Sequence, residues 1–259
     1  MRGIILRELE KIEEQGNVKI LHCVESGSRA WGFESPDSDY DVRFIYVHTP
    51  DFYLKLERVR DVIEWKLDDV LDINGWDIAK TLRLLHASNP TLFEWSSSPV
   101  VYRTSAQWAE VAKIQNDYFL KKNGLHHYLH MAEGNYREYL TGERVKLKKY
   151  FYVLRPILAC LWILERGTPP PVRFDELCKN CLEKELVPQI EKLLAIKTQT
   201  PEYGLIERND ELNGYIERNL CAIKERINSL EEQPERGWEE LDDIFKRIIC
   251  GGGAAQQKL

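Results

Sequence analysis

Val24-Glu25-Ser26-Gly27-Ser28, followed one loop later by Asp39-Tyr40-Asp41-Val42-Arg43-Phe44-Ile45-Tyr46-Val47, is the part of the chain whose reading decides the fold. The first piece ends an apolar run that starts at Val18, and its glycine lets the backbone turn sharply and approach a ligand closely. The second piece alternates, so Tyr40, Val42, Phe44 and Tyr46 share one face of a strand while Asp39, Asp41 and Arg43 share the other. The aromatic and aliphatic face packs on helices. The charged face looks into a cleft.

Working outward, Ile5, Leu9 and Ile12 recur at helical spacing and the turn Gln15-Gly16-Asn17 ends them before the Val18 strand. Residues 25–38 hold Gly27, Gly32 and Pro36 and read as a loop with at most a short helical turn. One or two further strands are expected within 62–73, ending at the turn Asn74-Gly75. From Asp77 the period changes to helical, with Ile78, Leu82 and Leu85 on one stripe and Asn89-Pro90 as its stop. Beyond residue 104 helical patterns recur at 105–121, 125–140, 145–165, 172–197 and 209–231, and no strand alternation stands out. The expected architecture is α+β: a small mixed sheet with helices over 1–103, an all-helical domain over 104–250, and a flexible tail over 251–259.

Two carboxylates at i and i+2 on a strand lie about 6.5–7 Å apart along the backbone and point the same way. Such oxygen donors suit magnesium or manganese, and a two-ion site can hold both the attacking and the leaving oxygen of a phosphoryl centre. Upstream, Gly27 and the Ser28 hydroxyl form a candidate cradle for a triphosphate, with Arg29 and Arg43 close enough in sequence to add positive charge. Ser35-Pro36-Asp37-Ser38-Asp39 alone is a common turn composition, and an isolated Gly-Ser says little. It is the combination of strand, Gly-Ser, loop and Asp-x-Asp strand that is specific.

The runs Gly27-Ser28-Arg29-Ala30-Trp31-Gly32-Phe33 and Ser35-Pro36-Asp37-Ser38-Asp39-Tyr40-Asp41-Val42-Arg43 resemble the polymerase-beta-type nucleotidyltransferase superfamily, and within it the family named for an RNA repair pathway. Further matches are Asp72-Ile73-Asn74-Gly75-Trp76-Asp77, Ser88-Asn89-Pro90, Glu94-Trp95, Lys148-Lys149-Tyr150 and Arg155-Pro156, so the resemblance spans most of the chain. It implies a polymerase-beta-like catalytic domain and metal-dependent transfer of a nucleoside monophosphate from a nucleoside triphosphate to an acceptor hydroxyl, with release of pyrophosphate. It also implies a third carboxylate from a neighbouring strand, for which Asp72 is the first choice and Asp77 and Glu64 the alternatives; Asp77 equally reads as a helix cap. Asp39, Asp41 and Asp72 would then bind metal and carry the chemistry.

Lys148, Tyr152 and Arg155 fall at i, i+4 and i+7 of one helix, with Lys149 beside them. That face can grip a triphosphate and stack a base, or equally be a solvated basic face. RNA is the acceptor favoured by the resemblance, while a formal charge of −6 offers no bulk attraction to a phosphate backbone and suits a protein or small-molecule acceptor. A nucleotide-binding regulator without catalysis is the reading of another class, and the intact Asp39 and Asp41 weigh against it.

The N-terminus lacks the apolar core of a signal peptide and no apolar run approaches membrane-spanning length, so the chain reads as cytoplasmic. Six scattered cysteines fit reduced thiols, and Cys178-Lys179-Asn180-Cys181 has no second pair at zinc spacing. His126 and His130 share a helix face but read as surface residues, and Trp31, Trp65, Trp76 and Trp95 read as packing.

Overall fold

The structure, a computed structural model, describes residues 1–251 except Arg58, Asp69 and 200–204, and gives the backbone alone for Lys66, Leu67, Thr198 and Gln199. The expected tail over 251–259 therefore lies outside the described residues beyond Gly251. In chain order the elements are α1 (Arg2–Gly16), β1 (Val18–Glu25), α2 (Gly27–Trp31), β2 (Tyr40–His48), α3 (Pro50–Tyr53), β3 (Val62–Leu67), β4 (Leu71–Asp77), α4 (Ile78–His86), α5 (Pro90–Ser96) and β5 (Val101–Thr104). They continue with α6 (Ala106–Ile114), α7 (Lys121–Tyr139), β6 (Arg144–Lys146), α8 (Leu147–Arg166), α9 (Phe174–Cys181), α10 (Val187–Gln199), β7 (Leu205–Glu207), α11 (Asp210–Asn228) and α12 (Glu239–Gly251).

Backbone proximity divides the described residues into two compact units, one within 1–27, 39–118 and 235–251, the other within 28–38 and 119–234. The sequence reading places one boundary after residue 103. The observed units instead interleave, with crossings at Gly27-Ser28, Ser38-Asp39, Tyr118-Phe119 and Pro234-Glu235.

The first unit is built on a five-stranded sheet in the order β3-β4-β2-β1-β5. β2 runs antiparallel to β1 and parallel to β4, so the sheet is mixed. Ile5, Leu9 and Ile12 of α1, all at most 1% exposed, meet Val18, Ile20, Cys23, Val42, Phe44, Tyr46, Leu71 and Ile73 of the sheet. Each such side chain contributes about 1.5–3 kcal/mol when fully buried, so the helical stripe and the strand alternation together hold α1 on the sheet. α1 ends as its sequence indicates, with Asn17 in the left-handed region at φ 46° and its N–H on the Glu13 carbonyl.

Two local expectations are corrected in this unit, and one helix is added to it. Asn74-Gly75 is not a turn: β4 runs through it to Asp77, because Gly75 is the register partner of Phe44 and a Cβ there would collide with the Phe44 ring. β2 begins at Tyr40, which leaves Asp39 just ahead of the strand. Leu241, Ile244 and Ile248 of α12, a helix the sequence reading passes over, are buried in this unit.

The second unit centres on α8, whose Tyr150, Phe151, Val153, Leu154, Ile157, Leu158, Ala159 and Cys160 are buried around nearly the whole circumference, as a central helix requires. Residues 28–38 belong to it through Phe33, which is 1% exposed and packs its ring on Phe151 and Phe174 at centroid distances of 5.2 and 5.4 Å. An all-helical second half was expected. The short antiparallel ribbon of β6 with β7, pairing Val145 with Ile206, departs from that, being too brief for alternation to register.

Candidate active site

Parallel pairing of β2 with β4 sets Asp41 opposite Asp72 as direct register partners. Both side chains turn to one cation: Nη2 of Arg43 lies 2.9 Å from Asp41 Oδ1 and 2.7 Å from Asp72 Oδ2. The same guanidinium is anchored through Nη1, which donates to the carbonyls of Val42 and Asp72 at 3.1 Å each. Two carboxylate oxygens from adjacent strands thus converge on a single positive nitrogen. The carboxylates are only about a quarter exposed, at 25% and 28%, which weakens solvent screening of the pair.

Gly27 is built against this group. It adopts φ +61°, a backbone state that disfavours every residue with a Cβ, and a Cβ placed there would run into the Asp41 carboxylate. Its neighbour Ser26 donates its N–H to the Asp41 carbonyl at 2.8 Å. At Gly27 the missing side chain makes room for the Asp41 carboxylate.

The third-carboxylate alternatives fall apart from this cluster. Asp77 is 3% exposed; it caps α4 by accepting the Ala79 N–H at 2.7 Å and accepts the Tyr53 hydroxyl at 2.8 Å. Burial raises its carboxyl above the usual range, and those two hydrogen bonds work against the rise. Glu64 is exposed and pairs with Arg60 at 2.7 Å. Asp39 is exposed at the head of β2, and among the described residues no three His, Cys, Asp or Glu side chains are gathered to hold a metal ion. Asp41 and Asp72 form the assembled pair.

The remaining expected residues lie in the second unit. Ser28 is buried, and its carbonyl accepts the N–H groups of Gly32 and Phe33. Arg29 closes the 28–38 loop by donating Nη2 to the Ser38 carbonyl at 2.6 Å, and the Ser35-to-Ser38 turn is tied by a 3.0 Å main-chain bond and a 3.0 Å hydroxyl pair. Trp31 meets Tyr152 edge-on at 5.5 Å, and Lys149 Nζ stands over the rings of Tyr139 and Tyr152 at 3.5 and 5.1 Å. Lys148 is half-buried beside them.

Arg155 differs from the exposed cation that its helical spacing suggests. It is 2% exposed, with the guanidinium 4.5 Å from the Trp31 ring and with Nε and Nη2 each 3.3 Å from the Val172 carbonyl.

Residues outside the sequence reading also bear on the site. Glu25, at the end of β1, accepts the Asp41 N–H at 2.8 Å and the Tyr102 hydroxyl. Burial first, and then the hydrogen bond to Glu25, hold the Tyr102 phenol well above its ordinary range, so it remains a donor. An acid closing an apolar strand was the available signal.

Elsewhere, His126 and His130 stack at 6.0 Å, and Trp76 stacks on Trp95 at 3.8 Å. Trp65 donates to Glu8 at 2.8 Å. Cys178 and Cys181 are free thiols, and burial pushes Cys178 up to about 12. Among the described residues no helix is long and apolar enough to cross a membrane.

The uncharacterized protein YcgL of Bacillus subtilis (strain 168) is 46% identical over 251 residues, covering 96% of each chain. A crystal structure of a nucleotidyltransferase-like protein from Exiguobacterium sibiricum 255-15 aligns over 86% of this chain and 74% of its own, with 15% identity and a TM-score of 0.32. The sequence profile of the RNA repair pathway DNA polymerase beta family matches residues 1–247, nearly the full length, and the chain belongs to that family.

Proposed function

We propose that this chain transfers a nucleoside monophosphate from a nucleoside triphosphate to an acceptor hydroxyl and releases pyrophosphate. The observation that carries the reading is the convergence of Asp41 and Asp72 on one cationic nitrogen. Oxygen donors brought to a single positive point are the donor chemistry of a hard divalent ion, and magnesium commonly takes one or two carboxylates and completes its shell with substrate phosphates and water. Asp41 and Asp72 would hold Mg2+ or Mn2+, and Asp39, just ahead of β2, is the further proposed ligand. Bound there, the metal supplies neutralising charge for the triphosphate and the departing pyrophosphate.

The protein's own groups do the rest. Asp72 is the candidate base for the attacking hydroxyl, since its carboxylate is partly open to solvent and stands opposite Asp41 on the neighbouring strand. Gly27, lacking a Cβ, leaves the Asp41 carboxylate room to keep its aim, and the Gly27-Ser28 peptide offers phosphate a close approach. Arg43 balances the two acids and can carry the same charge to phosphate oxygens. Lys148, Lys149 and Tyr152 are the proposed nucleotide contacts of the second unit, with Arg155 as the buried support of Trp31.

RNA is the acceptor that the family's name favours. The net charge of −6 supports the second reading, a protein or small-molecule acceptor, because strong attraction to a phosphate backbone needs basic excess. Six cysteines without a disulfide suit a cytoplasmic setting. The test is transfer of label from each alpha-labelled nucleoside triphosphate to pooled RNA, protein and metabolites with magnesium or manganese. Transfer by the wild type that vanishes in Asp41→Asn and in Asp72→Asn is expected. Nucleotide binding without transfer to any pool would instead favour a non-catalytic regulator.

A further inference from the structure

Glu25 is 1% exposed, and the scheme above leaves it without a task. It ends β1, where Val42 is its register partner, and directly after it the chain turns away through Ser26 and Gly27. Beyond that turn the Asp41 N–H meets a side chain in place of a main-chain carbonyl: Oε1 of Glu25 accepts it at 2.8 Å. The other carboxylate oxygen, Oε2, accepts the hydroxyl of Tyr102 on β5. Glu25 is fixed through its backbone as well, since its N–H donates to the Val100 carbonyl at 2.9 Å and its carbonyl accepts Ser98 Oγ at 2.6 Å.

The Asp41 residue is thus gripped at three points by three consecutive residues. Glu25 takes its N–H, Ser26 supplies a donor to its carbonyl at 2.8 Å, and Gly27 lies against its carboxylate. An aspartate side chain is short, so the direction of its carboxylate follows closely from the orientation of its own peptide. A hydrogen bond to an ionised acceptor is about twice as strong as a neutral one, which suits a carboxylate to this task.

We infer that Glu25, braced by Tyr102, is a positioning residue that fixes the Asp41 peptide and thereby aims the Asp41 carboxylate at a divalent cation. The inference rests on the reading of Asp41 as a metal ligand.

The test is Mn2+ affinity of the full chain, measured as free against bound Mn2+ by electron paramagnetic resonance, with thermal stability recorded beside it. Glu25→Leu, which removes the acceptor, is expected to raise Kd about 10–100-fold, the loss typical when a partner that orients a metal ligand is removed. Glu25→Gln keeps an acceptor for the Asp41 N–H and is expected to stay within about threefold of wild type, the margin between a charge-assisted and a neutral bond. Tyr102→Phe removes only the brace and is expected to raise Kd about 3–10-fold; it decides the matter should Glu25→Leu not fold. Ser98→Ala breaks a hydrogen bond to the Glu25 carbonyl and leaves the carboxylate alone, so it controls for stability and should bind Mn2+ as wild type does.

Affinity in Glu25→Leu and Tyr102→Phe no weaker than in Ser98→Ala would overturn the inference. So would a Glu25→Gln as weak as Glu25→Leu, because charge and not aim would then be what matters. A wild type that binds no Mn2+ is a separate result, and it overturns the metal reading itself along with this inference.

Discussion

Replacing Gly27 by alanine adds one methyl group and should cost far more than a methyl's worth of stability, for two separable reasons. The first is backbone strain. Gly27 sits at φ +61°, and an L-residue held in the left-handed region costs about 1–2 kcal/mol. The second is contact, because the new Cβ would occupy the place of the Asp41 carboxylate. Asp41 must then rotate off its rotamer, at about 0.5–1.5 kcal/mol, and give up its bond to Arg43, which at its partial exposure is worth at most about 1 kcal/mol. The sum is about 2–4 kcal/mol for Gly27→Ala in the wild type. In an Asp41→Ala background the contact disappears and only the strain remains, about 1–2 kcal/mol. Urea unfolding of the wild type, both single variants and the double variant closes the cycle, with an expected coupling of about 1–2 kcal/mol. Two compact units make a single transition unsafe to assume, so tryptophan fluorescence and far-ultraviolet dichroism should be followed together. Equal costs of Gly27→Ala in both backgrounds would refute the argument that Gly27 is a glycine for the sake of Asp41.

The identity of the third carboxylate can be read from a pair of variants. Asp72→Asn should abolish label transfer, whereas Asp77→Asn keeps a competent helix cap and should transfer normally; the opposite pattern would move the role to Asp77. His22, 4% exposed and stacked on Trp108, has its pKa lowered from 6.5 to about 4 by burial. The fold prefers the neutral ring, so this contribution is whole above the unfolded pKa of 6.5 and is lost as pH falls toward about 4, some 3 kcal/mol in all. A His22→Phe variant should lack that slope in urea midpoint against pH, and an unchanged slope would place the acid sensitivity elsewhere. In the second unit Lys149→Ala should raise the nucleotide KM with little change in thermal stability, while Arg155→Ala should lose about 2–5 kcal/mol of stability through its buried contacts. An Arg155→Ala protein as stable as wild type would contradict its placement against Trp31 and Val172.

The parts of the molecule that were legible in the sequence are those whose cause is local. Ile5, Leu9 and Ile12 announce α1 because a helix face repeats within a few residues, and Tyr40 to Tyr46 announce β2 because a pleat alternates. Ser35 to Ser38 reads as a turn and is one, since its own hydroxyls and peptides close it. Failure begins where the cause is distant. Asn74-Gly75 carries turn chemistry, yet the ring of Phe44 on the next strand needs the missing side chain, so the dipeptide is drawn into β4. Phe33 looks like one apolar residue in a polar loop, and only the rings of Phe151 and Phe174 explain why that loop leaves the sheet unit.

The candidate site divides in the same way. Asp39 and Asp41 are nominated by spacing alone, and Asp72, the first of three choices for a third carboxylate, is the one that parallel pairing sets opposite Asp41. Glu25 could not be found so, because its burial comes from Ser98 and Tyr102, 73 and 77 residues away. Arg155 misleads for the converse reason. A cation at i+7 from Lys148 reads as surface, but Trp31 and the Val172 carbonyl enclose it from segments that no helical period can report. A sequence therefore displays the groups that perform chemistry more readily than those that aim them, since a ligand is known by its type and a brace only by its neighbours. Gly27, Glu25 and Tyr102 are therefore the positions where the aim of Asp41 can be altered while Asp41 and Asp72 stay in the chain, provided that the stability cost of each substitution is measured beside its effect on Mn2+ binding.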